Sequence, residues 1–197
     1  LMWFRRDLRV TDNAALYHAL KSCVQVHCVF VLDREILDPL PRADRRVEFI
    51  RETLVELDAA LRDLAVQPDA GLIVLHAMAR QELPHLARKL GVQAVFANHD
   101  YEPQAMERDA AVRGALANAG IALHTCKDQA IFERDEILTQ IGKPYGVFTP
   151  YKNAWLKKVD GYYLKSYPVA RYAASLTARP PEHVHAIPGL REIGFEP

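Results

Sequence analysis

"VQVHCVFVL", Val24–Leu32, is the stretch that decides the fold. Past Gln25 and His27 its apolar residues run on unbroken to Leu32, valine dominates it, and Asp33-Arg34-Glu35 ends it. A short, continuous, β-branched run of this kind reads as a strand covered on both faces, as strands of parallel sheets are. Similar runs lie on either side of it: Leu1–Phe4, Leu72–Ala77 ("LIVLHA"), Gln93–Asn98 ("QAVFAN") and Ile121–Thr125 ("IALHT"). Amphipathic stretches separate them. Thr11 or Asp12 is placed to cap a first helix through "NAALYHALK". A second, over Arg42–Leu64, sets Val47, Ile50, Leu54, Leu57 and Leu61 at spacings of three and four. A third, Arg80–Leu90, stops at Gly91, and a fourth opens with Pro103 and stops at Gly120. Strand and helix in strict alternation predict an α/β fold, a doubly wound five-stranded parallel sheet with helices on both faces.

The rhythm ends after residue 126. "CKDQAIFERDEILTQIGKPYGVFTPYKNAWLKKV" (126–159) carries turn signals at Gly142, Pro144, Gly146 and Pro150, then one helix-like piece. The expected organisation is an α/β domain over 1–130, an extension over 131–175 that packs on it, and a Pro-rich linker over 176–197. The chain opens on Leu1 in what reads as mid-strand, so residues are expected before it and a further domain after the linker.

Composition narrows the function. The 25 basic and 25 acidic side chains cancel, so no global field steers the protein to nucleic acid or an anionic membrane. No apolar run approaches the roughly 18–20 residues of a membrane helix. Three cysteines without a CxxC pair point to a reducing, cytoplasmic compartment. No G-x-G-x-x-G, GxxxxGK[ST] or G-x-S-x-G is present, so neither the phosphate-cradling loops nor a nucleophile elbow is supported. His183 and His185 stand in the linker without Cys or carboxylate partners, and no metal site is expected there.

Open α/β sheets bind ligands beyond the carboxyl ends of their strands. The residues at that rim are Arg5-Arg6-Asp7-Leu8-Arg9, Asp33-Arg34-Glu35, Met78-Ala79-Arg80 and Asn98-His99-Asp100-Tyr101-Glu102. They read either as a ligand rim or as ion pairs tying loops together. From Lys143 to Arg171, six Lys/Arg meet one acid, Asp160, among seven aromatics that include Tyr145, Phe148, Tyr151 and Trp155. The two readings of this stretch are a stacking platform for single-stranded nucleic acid and a face that docks on another domain; the second is favoured.

Three ordered blocks carry a resemblance. "WFRRDLRVTDNAAL" (3–16), "ANHDYEPQAMERD" (97–109) and "GKPYGVFTPYKNAWLKK" (142–158) resemble signature blocks of the DNA photolyase/cryptochrome family, and "LREIGFEP" (190–197) is similar to its interdomain linker. The resemblance implies a Rossmann-like antenna domain, inactive by itself. It also implies a separate C-terminal helical domain that holds FAD and damaged DNA and repairs cyclobutane pyrimidine dimers; the alternatives are a cryptochrome photoreceptor and a stand-alone nucleotide-binding module. For a flavin or deazaflavin (FMN-type) antenna it implies contacts at Phe30, Val31, Leu32, Arg46 and Asp100. For a methenyltetrahydrofolate antenna it implies the start of the fourth helix, where Gln104 and Ala105 stand in place of an Asn-Glu pair and Glu102 is a nearby acid. Arg9 is a secondary antenna contact. Arg5 and Asp7, the latter held between arginines, are expected to fix the first loop and the face shared with the helical domain, with Tyr145, Phe148, Tyr151 and Trp155 on that docking face. No catalytic residue is expected within these 197 residues.

Overall fold

The computed structural model describes residues 1–196; Pro197, the last residue of the expected linker, lies outside them. Strands β1 (Met2–Phe4), β2 (Cys28–Asp33), β3 (Leu72–Ala77), β4 (Ala94–Asn98) and β5 (Ala122–Cys126) form one parallel sheet in the order β3-β2-β1-β4-β5. The chain winds outward from β1 to β3, returns, and winds the other way, so the switch point lies between β1 and β4. The expected fold class is therefore present.

Side chains alternate along the strands and divide the core in two. Met2, Phe4, Phe30 and Leu32 meet helices α1 (Ala14–Ser22) and α3 (Arg45–Leu64) on one face. Trp3, Val29 and Val31 meet α4 (Ala79–Lys89) and α5 (Pro103–Asn118) on the other. β5 departs from the expected two-sided burial: it is an edge strand with one neighbour, and none of its residues is fully buried.

Local differences have local causes. Asn13, not Thr11 or Asp12, caps α1, accepting from the Leu16 amide at 3.0 Å. Asp12 is in the left-handed region at φ 47°, with a carboxylate oxygen already accepting from the Tyr167 amide at 2.8 Å. β2 starts at Cys28 rather than Val24, because Val24 is 91% exposed and Val26 pairs in parallel with Leu176 from the far end of the chain. α3 starts at Arg45, capped by Asp44, while the Arg42 carbonyl accepts from the Glu196 amide at 2.7 Å. A single helical turn, α2 (Arg34–Leu37), follows β2 under an Asp33 cap. One turn is too short to leave a periodic pattern, so the sequence did not reveal it.

The stretch expected as a linker is docked on the domain. Ala178 pairs with Ala70, and Ile193 and Phe195 are buried in the core. Buried Arg179 reaches Asp58 at 3.5 Å, and the same carboxylate accepts from the Leu72 amide at 2.7 Å and pairs with Arg62 at 2.7 Å. Gly71 passes beside this clasp at φ 153°, where a Cβ would lie 2.6 Å from Asp58 Oδ1. Helix α6 (Phe148–Lys158), the helix-like piece after residue 126, has no fully buried residue.

Candidate functional site

At the switch point the chain places Arg5 just past β1, on a strand too short and buried for a charge to escape into water. Its guanidinium pairs with Asp109 of α5 at 2.5 Å and donates to the Asn98 carbonyl. Asn98, at the end of β4, donates to Asp7 Oδ2 at 2.5 Å and to Asn13 Oδ1 at 2.9 Å, and accepts from the Ala15 amide. The Arg5 amide donates to Asp7 Oδ1 at 2.8 Å. Arg5 and Arg108 also stand over the Trp3 ring, at 4.8 and 5.0 Å from its centroid. Asp7 is thus held by amides, not between arginines as expected, because the neighbouring guanidiniums have nearer acids. Arg5 and Asp7 are both buried. They shape the loop from within and offer no face of their own to a further domain.

Magnitudes separate scaffold from surface. Breaking one side of a buried pair such as Arg5–Asp109 costs about 3–5 kcal/mol. An exposed pair such as Arg6–Glu102, at 2.5 Å and more than half exposed on both sides, contributes about 0–1 kcal/mol. Asp100 is buried, 3.5 Å from Arg6 and 3.9 Å from Arg108. Gln104 is exposed in the first turn of α5. The structure therefore gathers Asp100, Glu102 and Gln104 at one end of α5.

It does not gather the deep set. Phe30 and Leu32 point to one face of β2 and Val31 to the other, each packed in the core. Arg46 is exposed and folded back on its own helix cap, 2.5 Å from Asp44. Hydrogen bonds from Arg46 hold the Asp44 carboxyl at about 2. Arg46 pairs with Asp44 and Asp100 with Arg6 and Arg108, so no contact joins the two. These residues do not fit a chromophore buried at the end of β2. What stands there is Asp33, one residue beyond the expected strand end. Its Oδ1 accepts from the Glu35 and Ala79 amides at 3.2 Å, tying α2 and α4 to β2, while buried Oδ2 has no hydrogen-bond partner among the described residues.

Space opens instead past β1 and β5. A groove of about 700 Å³ is bounded by Arg9, Asp128 and Lys127 on one side and by the returning segment 162–168 on the other. Its volume falls within the range of small-molecule sites. Arg9 pairs with Asp128 at 2.9 Å and donates to the Asp12 carbonyl at 2.6 Å. Lys127 pairs with Glu136 at 2.6 Å; burial pushes the Glu136 carboxyl up, but the Lys127 hydrogen bonds outweigh it and hold the group below its ordinary range. Tyr17, Tyr162, Tyr163 and Tyr167 supply ring surface. Sequence reasoning missed this groove because segment 162–168 returns from far along the chain. The strand-end rule applied to the fifth strand would have named Lys127 and Asp128. His99, named at the rim from the sequence, finds partners the sequence did not show: its Nδ1 lies 2.9 Å from Glu133 and its Nε2 3.1 Å from Thr125 Oγ1. Beside it, burial and the Glu133 charge push the Tyr101 phenol up to about 12.

With this geometry in view, known proteins give the family. The DNA photolyase profile matches residues 1–173. The chain belongs to the DNA photolyase family. It is 33% identical to the deoxyribodipyrimidine photo-lyase of Synechococcus sp. (strain ATCC 27144 / PCC 6301 / SAUG 1402/1) over the whole of this chain and 40% of that enzyme. Among solved structures, a class III photolyase of Agrobacterium tumefaciens superposes with a TM-score of 0.73 at 27% identity, covering 90% of this chain and 34% of that one. An archaeal photolyase of Sulfolobus tokodaii, described with two FAD molecules and a novel light-harvesting cofactor, gives a TM-score of 0.66 at 29% identity over 81% of this chain and 34% of that one. Cryptochromes match as well, at lower identity than the Synechococcus enzyme. This photolyase-family chain therefore spans about 40% of the Synechococcus enzyme and corresponds to its N-terminal part. Among the described residues no helix is long and apolar enough to cross a membrane, and no cluster of His, Cys, Asp or Glu has metal-binding geometry.

Proposed function

We propose that this chain is the light-harvesting α/β domain of a cytoplasmic deoxyribodipyrimidine photo-lyase, completed by a helical domain that holds FAD and engages damaged DNA. One observation carries the reading. The domain closes two cores of its own, yet segment 141–164 leaves Ile141, Val147, Phe148, Leu156, Tyr162 and Leu164 more than half exposed. An apolar face of this kind marks a covered surface in the complete molecule, and the family relatives are long enough to supply the cover. Trp155 anchors the face, packing edge-on against buried Phe132 at 5.6 Å, while Phe148 is 73% exposed. Tyr145 and Tyr151 lie beside it, half-buried and edge-to-face with each other at 6.2 Å.

A flavin held by the helical domain would supply the redox chemistry that splits the dimer. The residues of this chain position, brace and shield: Arg5, Asp7 and Asn98 lock the β1 loop, and the aromatic face seats the helical domain. A flavin as light-harvesting chromophore is supported by the Sulfolobus relative's two FAD molecules, and an open rim groove that includes Arg9 leaves room for a flavin or a methenyltetrahydrofolate. Asp100, Glu102 and Gln104 form the alternative contact set at the end of α5.

Amide exchange tests the seating. In the intact protein the amides of α6 are expected to exchange at least about tenfold more slowly than in the 197-residue chain, because burial converts a fraying helix into a protected one. Equal exchange in the two would overturn the docking role. The enzymatic reading is tested by light-dependent loss of cyclobutane dimers from UV-irradiated DNA with the intact protein, against a dark control.

A further inference from the structure

We propose that the surface of the helical domain that covers segment 141–165 carries carboxylates around its edge, which pair with Lys143, Lys152, Lys157 and Lys165 and steer the two domains together. The proposal rests on the docking role given above and adds the chemistry of the partner surface.

The first observation is a charge separation that the neutral total hides. Between Lys143 and Arg171 stand six of the 25 basic residues and one of the 25 acidic ones, Asp160, so this segment holds +5 and the rest of the chain −5. A lobe of one sign steers a partner of the other. Its single acid is occupied, since Asp160 Oδ1 accepts from the Tyr162 amide at 2.8 Å.

The second is that these cations are unmatched within the domain. Among the described residues the lysines in ion pairs are Lys89, with Glu182, and Lys127, with Glu136. Lys158 turns back to donate to the Glu136 carbonyl at 2.5 Å and lies over the Phe132 ring at 4.9 Å. Lys143, Lys152, Lys157 and Lys165 are exposed and make no ion pair among the described residues.

The third is where they stand. Phe148, Lys152 and Leu156 recur at four-residue spacing as one outward stripe of α6, with Tyr151 and Trp155 half-buried on the inward side. Lys152 therefore sits inside an apolar stripe. Lys157 follows Leu156, Lys165 follows Leu164, and Lys143 lies two residues from Ile141; each of these apolar neighbours is more than half exposed. An apolar centre with charge at its rim is the anatomy of a protein–protein contact, in which complementary charge sets specificity and encounter rate. Lysine stems cover such a centre and bring their heads to its edge. A nucleic-acid backbone would leave the apolar side chains wet. Trp155 and Tyr151, rings on which a single strand would stack, are already edge-on to Phe132 and Tyr145.

Carbodiimide coupling reads the carboxylates directly, because it joins a lysine amine to an acid within ion-pair reach, with loss of water. In the intact protein, peptides that join Lys152 or Lys157 to an Asp or Glu beyond residue 197 are expected. About 0.5 M NaCl during the reaction is expected to cut their yield severalfold. Exchange of the α6 amides, measured on the same sample, keeps the outcomes apart. Lys152→Glu with Lys157→Glu is expected to speed that exchange about tenfold in the intact protein and to leave it within about twofold in the 197-residue chain. Arg191→Glu, exposed beside α3, is expected to change neither. Protected α6 amides without such cross-links, indifferent to salt and to charge reversal, overturn the proposal and leave the docking role standing. Amides that exchange alike in the intact protein and in the chain remove the docking role, and the proposal with it. Loss of affinity for undamaged duplex DNA in the double variant, with α6 still protected, assigns the lysines to phosphate and also overturns the proposal.

Discussion

Arg5→Ala is expected to lower the melting temperature of the chain by about 6–20 °C. Arg5 is 9% exposed, and its loss leaves the Asp109 carboxylate, 18% exposed, without its 2.5 Å partner and the Asn98 carbonyl without a donor. An uncompensated charge of this kind costs about 3–5 kcal/mol. At about 2–4 °C per kcal/mol for a chain of this size, the shift follows. Arg108 offers only partial compensation, because its 3.2 Å contact with Asp109 competes with Asp100. Removing both ends together separates the pair's net worth from the cost of orphaning one end. Arg5→Met with Asp109→Leu is expected to recover more than half of the loss, since Met still packs on Trp3. If the double variant melts no higher than Arg5→Ala, the ion pair itself is the stabilising element and the orphaned-charge explanation fails. Thermal unfolding followed by circular dichroism reads both.

The second large effect belongs to Gly71→Ala, with an expected cost of about 3–4 kcal/mol. Two penalties add there. At φ 153° an L side chain is strained, and the new methyl would sit 2.6 Å from Asp58 Oδ1 and 3.1 Å from the Arg179 guanidinium carbon. Neither neighbour gives way cheaply, because Asp58 also accepts from the Leu72 amide that starts β3. Denaturant unfolding is the measurement: the midpoint should fall at constant m-value. The same substitution at Gly120, whose Cβ would meet nothing within 4 Å, isolates the backbone penalty at φ 71° and should cost only about 1 kcal/mol. Equal losses at the two sites would show that the clasp around Asp58 is not what constrains Gly71.

The strands were legible because burial on two faces leaves an uninterrupted apolar run; Leu72–Ala77 is matched residue for residue. Helix ends were legible where glycine does what other residues resist, as at Gly91 and Gly120, both at positive φ. The site was legible only halfway. Arg5, Arg6, Asp7 and Arg9 stood out, but their partners Asp109, Asn98, Asn13 and Asp128 are chosen by three-dimensional proximity, up to 119 positions away. Local competition decided against Arg46: a capping carboxylate two residues before it satisfies the guanidinium. The groove was invisible because one wall is a segment whose tyrosines read equally well as a docking face, and because Asp12 and Tyr167 are joined only by folding. The tail over 176–196 read as linker from its prolines and polarity, whereas Leu176, Arg179, Ile193 and Phe195 anchor it to the domain.

The most direct measurement is the action spectrum of dimer repair by the intact protein, recorded alongside its absorption spectrum. Repair per incident photon is expected to rise across the near-UV or blue band of a light-harvesting chromophore, beyond what the absorption of FAD alone delivers, and the extra band to vanish when that chromophore is stripped. Repair that tracks FAD absorption alone at every wavelength, or no repair at any wavelength, would contradict it.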